Sequence, residues 1–130
     1  MAVAPHPTEG ELAILRVLWS RKGPTTVREV HETLSRHKDT AYTTVLKMLT
    51  IMADKGLVRR DETERTHTYV AVHAETVVQS SLLRDLARRA FSGSATRLVQ
   101  RALDDDTASA EELDAIEQMI ARAKARLKPE

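Results

Sequence analysis

At 130 residues, 42% hydrophobic and 30% charged, the chain has room for one small soluble domain and a helical appendage, and none for a large catalytic scaffold. With 20 Lys and Arg against 19 Asp and Glu, attraction to nucleic acid cannot rest on bulk charge; it needs clustered cations or more than one copy. Zero cysteines remove disulfides, thiolate catalysis and thiolate metal sites, and an aromatic content of 3% makes the core aliphatic.

Met1 to Pro7 lacks the charged and apolar regions of a signal peptide, and no apolar run reaches the length that spans a bilayer, so a cytoplasmic location is expected. Thr8-Glu9-Gly10-Glu11 has capping-box spacing and predicts a first helix carrying Leu12, Leu15, Leu18 and Trp19 to a stop at Gly23-Pro24. Trp19 is expected to anchor the junction between this helix and a later hairpin. Thr26-Val27-Arg28-Glu29 repeats the capping signature, and the second helix buries Val27, Val30 and Leu34 before finishing near Arg36-His37-Lys38.

The third segment, Asp39 to Gly56, carries the strongest functional signal. Val45, Leu46, Leu49 and Met52 recur at helical spacing as a buried stripe, leaving Tyr42, Thr43, Thr44, Lys47 and Thr50 on the opposite side. Asp39 or Thr40 is expected to cap its start, and Gly56 to end it after Lys55. Exposed Thr and Tyr lose side-chain freedom in a helix, so helix stability did not select them. Short hydroxyls and a lysine at a helix N-terminus suit phosphate oxygens, and a Thr methyl can touch a thymine methyl in the major groove. The alternative is an ordinary surface helix. Three short helices at this spacing form a helix-turn-helix with the third in the reading position.

After Gly56 the pattern becomes extended. Leu57 to Arg60 and Thr66 to Val70 flank the polar turn Asp61 to Arg65 and read as a β-hairpin. Helix, helix, helix, hairpin is the order of a winged helix-turn-helix. Arg59, Arg60, Arg65 and His67 stand where a wing lies along the sugar-phosphate backbone. Residues 1–73, taken as the DNA-binding domain, hold eleven Lys and Arg against nine Asp and Glu, with Lys47, Lys55, Arg59, Arg60 and Arg65 concentrated in the reading helix and wing.

Residues 74–130 are expected to be helical throughout. Thr76 to Ala90 carries Val77, Val78, Leu82, Leu83 and Leu86; a helix after Phe91-Ser92-Gly93-Ser94 carries Leu98, Val99 and Leu103. Asp104-Asp105-Asp106 marks a break, and the capping box Ser109-Ala110-Glu111-Glu112 opens a last helix with Leu113, Ile116, Met119, Ile120, Ala123 and Leu127 on one stripe. Three short amphipathic helices are too shallow for an independent core, so this segment is expected to pair with a second copy through Leu82, Leu86, Leu98, Leu113, Ile116 and Ile120. A two-fold dimer places two reading helices about one DNA turn, or a multiple, apart. The alternative is that these helices fold back on the first domain.

The fold class expected is therefore mainly α, a winged helix-turn-helix followed by a helical dimerisation domain. No catalytic constellation appears: His31-Glu32 followed by His37 does not match the zinc-protease spacing, and there is no Gly-rich phosphate loop. No cofactor and no metal are expected, and His6, His31, His37, His67 and His73 read as surface or hairpin residues. The rival function is a winged-helix protein-interaction adaptor without a DNA role, because fold alone does not fix function.

Several segments resemble the penicillinase-repressor family of the BlaI, MecI and CopY type: Thr8 to Leu12 with Val17-Leu18-Trp19, Val27 to Val30, Ala41 to Leu46, and Lys55 to Arg60. The similarity continues through Phe91-Ser92-Gly93-Ser94 and Ser109 to Leu113. The resemblance implies a homodimeric repressor that sits on a palindromic operator with TACA/TGTA-like half-sites and silences a resistance or stress operon. It further implies that Ala41, Tyr42, Thr43, Thr44 and Lys47 face DNA, with Arg65 as the basic wing residue. This chain departs from the pattern at Ile51, where Arg is frequent, at Glu64, where the wing often has Gly, and at Lys47, which is often Thr. The copper-responsive branch carries C-terminal cysteine pairs, which are absent here. In the penicillinase branch a membrane sensor protease is the implied partner and cuts an Asn-Phe bond; the matching stretch here, Val99-Gln100-Arg101-Ala102, lacks it and reads as a helix in the dimer core.

Overall fold

The computed structural model describes residues 6–127. In chain order the elements are α1 (Glu9–Arg21), β1 (Thr25–Thr26), α2 (Val27–Ser35), α3 (Tyr42–Lys55), β2 (Val58–Asp61), β3 (Thr68–Ala71), α4 (Glu75–Ala90), α5 (Ala95–Asp104) and α6 (Ala110–Arg126). They fall into two compact units, Met1–Arg84 and Asp85–Glu130, with α4 running from the first into the second.

In the first unit both capping boxes form as their spacing requires. The Thr8 hydroxyl accepts from the Glu11 amide at 3.2 Å while the Glu11 carboxylate accepts from the Thr8 amide at 2.9 Å; Thr26 and Glu29 repeat this at 3.1 and 2.9 Å. Helix α1 closes at Lys22, in the left-handed region at φ 56°, one residue before the expected glycine. The start of α3 differs from expectation. Its N-cap is Ala41, which has no side chain to accept from the first-turn amides; Thr40 instead donates its hydroxyl to the Lys38 carbonyl at 3.1 Å. Its end follows expectation at Gly56, φ 83°, where an added Cβ would meet nothing within 4 Å, so the need for glycine is conformational.

Ile14, Val30, Val45, Leu49 and Met52 are completely buried, bringing α1, α2 and α3 onto one aliphatic core capped by Leu57, Val58 and Tyr69 from the hairpin. Leu46, expected within the stripe, is 42% exposed. The stripe is set by Val45, Leu49 and Met52 at i, i+4 and i+7, and Leu46 lies one helical step of about 100° beyond it.

The hairpin belongs to a three-stranded antiparallel sheet ordered β1-β3-β2, with Thr25 opposite Tyr69 and Val58 opposite Ala71. The third strand was not legible, since two residues cannot display a period of two. The Trp19 indole donates to the His73 carbonyl at 3.0 Å, tying α1 to the end of the hairpin as the sequence suggested. A second tie joins the start of α1 to the end of α3: Lys55 Nζ lies 2.7 Å from Glu11 Oε2, whose side chain is only 6% exposed. Burial pushes the Glu11 carboxyl up, but the Lys55 ammonium and the Thr8 amide together outweigh it and hold the group below its ordinary value.

In the second unit Ser94 caps α5 through the Arg97 amide at 3.1 Å, and Ser109 with Glu112 forms the capping box of α6. No described residue of α5 or α6 is buried.

Candidate nucleic-acid interface

The exposed face of α3 is built from the residues the sequence singled out. Ala41, Tyr42, Thr43, Thr44, Lys47 and Thr50 are all solvent-accessible, while Val45, Leu49 and Met52 bolt the opposite face to the core. Among the described residues the hydroxyls of Thr43 and Thr44 and the Lys47 ammonium have no side-chain partner, so each is available to an external acceptor. Thr50 is different: its hydroxyl donates to the Leu46 carbonyl at 2.9 Å, the common helix back-bond. Leu46 and Ile51 add apolar surface to this face.

The wing cations divide into free and engaged groups. Arg59 and Arg65 are exposed and, among the described residues, have no ion-pair partner. Arg60 is held by Glu62 at 2.6 Å, and this contact, helped by the Tyr69 hydroxyl, raises its already high pKa, so it stays charged throughout. Lys55, expected among the DNA contacts, has its ammonium committed to Glu11. At the tip of the wing Asp61 accepts from the Thr63 amide at 2.9 Å and the Thr63 hydroxyl at 2.8 Å, an Asx turn that holds the carboxylate below its ordinary range.

A groove of about 590 Å³ lies between α3 and the hairpin. Tyr42 and Leu46 line it from α3, Arg65, Thr66 and His67 from the hairpin, and Arg28 from the first turn of α2. Tyr42 and Arg65, distant in sequence, are therefore neighbours on one surface, and His67 joins them. Arg28 and Leu46 are the residues sequence reasoning missed: Arg28 stands there only within a capping signature and the segment Val27 to Val30, and its place off the Val27, Val30 and Leu34 stripe is the signal that could have found it.

The expected dimerisation residues lie on exposed helix faces. Leu86, Leu113 and Ile120 are largely exposed, while Leu82, Leu98 and Ile116 are half-buried. Val99 and Leu103 extend the apolar surface on α5. Among the described residues no three His, Cys, Asp or Glu side chains gather closely enough to hold a metal ion, and no helix is long and apolar enough to cross a membrane.

The family model described as penicillinase repressor matches residues 7–122. The transcriptional regulator BlaI of Mycobacterium tuberculosis is 38% identical over 116 residues, spanning 88% of this chain and 83% of that protein. The chain belongs to the penicillinase-repressor family. Membership places it among DNA-binding transcriptional repressors and not among enzymes. Solved structures agree on the fold. The monomeric BlaI of Bacillus licheniformis, determined in complex with the blaP half-operator, is 23% identical with a TM-score of 0.50, covering 59% of this chain and 93% of that one. RosR of H. salinarum is 18% identical with a TM-score of 0.52, covering 96% of this chain and 100% of that chain. In this penicillinase-repressor family member, the winged-helix fold is thus shared with a regulator solved on DNA.

Proposed function

We propose that the chain is a homodimeric repressor that grips a palindromic operator with TACA/TGTA-like half-sites and silences a resistance or stress operon from the cytoplasm. The observation that carries the reading is the groove that Tyr42 and Leu46 of α3 share with the unpaired wing cation Arg65, on a helix that also exposes Thr43, Thr44 and Lys47. In this reading residues 1–73 bind DNA and 74–130 dimerise. Ala41, Tyr42, Thr43, Thr44 and Lys47 enter the major groove, while Arg59, Arg60 and Arg65 meet phosphates. Lys55 adds to the positive field while it remains paired with Glu11. Leu82, Leu86, Leu98, Leu113, Ile116 and Ile120 are covered by the second copy. The monomeric B. licheniformis BlaI solved on its half-operator supports one copy per half-site.

Relief by a membrane sensor protease belongs to the same proposal. Val99-Gln100-Arg101-Ala102 is exposed but helical within α5, so a protease that takes extended substrate must first open that helix. The test of the central reading is a gel-shift titration against a TACA/TGTA palindrome and a scrambled duplex at two salt concentrations. Preference for the palindrome with affinity falling as salt rises supports it; equal binding to the two duplexes, or none, favours a different operator or a protein-interaction adaptor.

A further inference from the structure

Helix α3 begins without the device that starts most helices. Its N-cap, Ala41, offers no side-chain acceptor, and among the described residues the first-turn amides of Thr44 and Val45 rely on the Ala41 carbonyl alone, at 3.1 and 3.2 Å. The residues entering this turn need another support, because Tyr42, Thr43 and Thr44 must be held in place if they read DNA. One side chain from α2 supplies it. His31 Nε2 lies 2.8 Å from the Thr40 carbonyl oxygen, the residue immediately before the cap. A carbonyl only accepts, so the ring carries its proton on Nε2 and donates it. The same ring packs against Tyr42, the first residue of α3, in a T-shaped pair with centroids 5.7 Å apart and planes at 72°. His31 is half-buried, Tyr42 is 46% exposed, and Tyr42 lines the groove shared with Arg65.

We infer that His31 is a positioning residue for operator recognition. Through one imidazole, α2 fixes both the backbone leading into α3 and the aromatic ring at its tip, replacing the missing cap. Neither contact touches DNA, so the effect of His31 reaches the operator only through the placement of Tyr42, Thr43 and Thr44. The inference rests on the reading of α3 as the recognition helix, and its consequences separate from those of an ordinary core contact. A lost core contact lowers the amount of folded protein and weakens binding to every duplex equally. A lost anchor leaves the phosphate contacts of Arg59 and Arg65 in place and weakens only the sequence-dependent part.

The test uses the full chain and three variants: His31→Phe keeps an aromatic ring and removes the donor, His31→Gln keeps a donor near the Nε2 position and removes the ring, and His31→Ala removes both. Amide hydrogen exchange of Thr44 and Val45 is measured against Leu49 and Met52, together with binding to a duplex carrying the TACA/TGTA palindrome and to its scrambled counterpart. In His31→Phe, exchange at Thr44 and Val45 is expected to rise about fivefold with Leu49 and Met52 unmoved, as fits the loss of one hydrogen bond. Palindrome affinity should fall about five- to tenfold while scrambled-duplex affinity and the salt slope stay at the wild-type value. His31→Gln should restore protection of the two amides and recover most of the affinity, and His31→Ala should show the largest loss. Unchanged exchange in His31→Phe and His31→Ala overturns the anchoring. Faster exchange with undiminished discrimination, or parallel losses on both duplexes, overturns the recognition role. A wild-type chain that does not distinguish the duplexes refutes the operator reading and the recognition role with it, while the exchange rates still decide the anchoring.

Discussion

Replacing Glu11 tests how the end of α3 is fastened to the rest of the fold. Glu11 makes two separable contacts: it accepts from the Thr8 amide at 2.9 Å, and it pairs with Lys55 at 2.7 Å. Gln at this position can keep the first contact and loses the charge of the second, whereas Ala loses both. The Lys55 side chain is 47% exposed, so screening reduces the ion pair from the range of a buried charged hydrogen bond to about 1 kcal/mol for Glu11→Gln. Loss of the cap adds about 1 kcal/mol in Glu11→Ala. In thermal unfolding followed by circular dichroism, a domain of this size loses about 4–8 °C per kcal/mol, so the expected drops are about 4–8 °C for Gln and about 8–16 °C for Ala. The pH dependence gives a sharper test. Folding holds the Glu11 pKa below its ordinary 4.5, so the stability supplied by its charge is complete above that pH and is lost as pH falls through the lower folded-state value. Glu29 and Asp61 are also lowered, Glu29 chiefly by the Thr26 amide and Asp61 by the Thr63 amide, but they are common to both proteins and cancel from the difference. The gap between wild type and Glu11→Gln should therefore be open at about pH 7 and shrink as pH falls below 4.5. A gap that stays constant over this range, or no gap at neutral pH, refutes the assignment of the stability to the Glu11 charge.

Gly56→Ala meets no steric obstacle and forces a Cβ into the left-handed region at φ 83°, so urea titration should show a loss of about 1 kcal/mol; an unchanged midpoint would mean that the turn relaxes freely. Thr44→Ala and Lys47→Ala should weaken palindrome binding without changing the sedimentation coefficient, and normal binding by both would move the recognition surface elsewhere. Ile116→Asp combined with Ile120→Asp places charge on the apolar face of α6 and should give a monomer in sedimentation velocity with palindrome affinity lower by orders of magnitude. A dimeric double variant would locate the interface away from α6.

The parts of the fold legible in the sequence are those written locally. Both capping boxes of the first unit, Gly56 and the 3.6-residue spacing of Val45, Leu49 and Met52 depend on neighbours within one or two turns, and each gave its element nearly to the residue. What escaped depends on partners distant in the chain. The two-residue strand β1 exists only because β3 pairs with it, and the expected cap at Asp39 or Thr40 gave way to support from His31 on another helix. The site shows the same division. The exposed hydroxyl face of α3 followed from periodicity, whereas the proximity of Tyr42 to Arg65 and Arg28, and the capture of Lys55 by Glu11, required the tertiary arrangement.

The sparse charge of the chain constrains how it holds DNA. Each copy presents Arg28, Lys47, Arg59 and Arg65 as exposed cations that have no acidic partner among the described residues. Arg60 is already neutralised by Glu62, so if only these four displace counterions, each at one phosphate, the salt slope is about −3.6 for one copy and about −7 for two, and a fourfold rise in salt costs a monomer about 10²-fold and a dimer about 10⁴-fold. A net charge of +1 adds little long-range attraction, so in the proposed dimer tight binding would come from joining two modest contacts, the first half-site raising the effective concentration of the second module. If the copies pair through α6 as proposed, the exposed Leu113 and Ile120 matter to repression as much as any residue on α3, without touching DNA. A signal that separates the copies would release the operator with the recognition surface intact. A measured slope near −3.6 for the wild-type chain, unchanged in Ile116→Asp with Ile120→Asp, would show instead that one copy suffices and that the apolar faces serve some other contact.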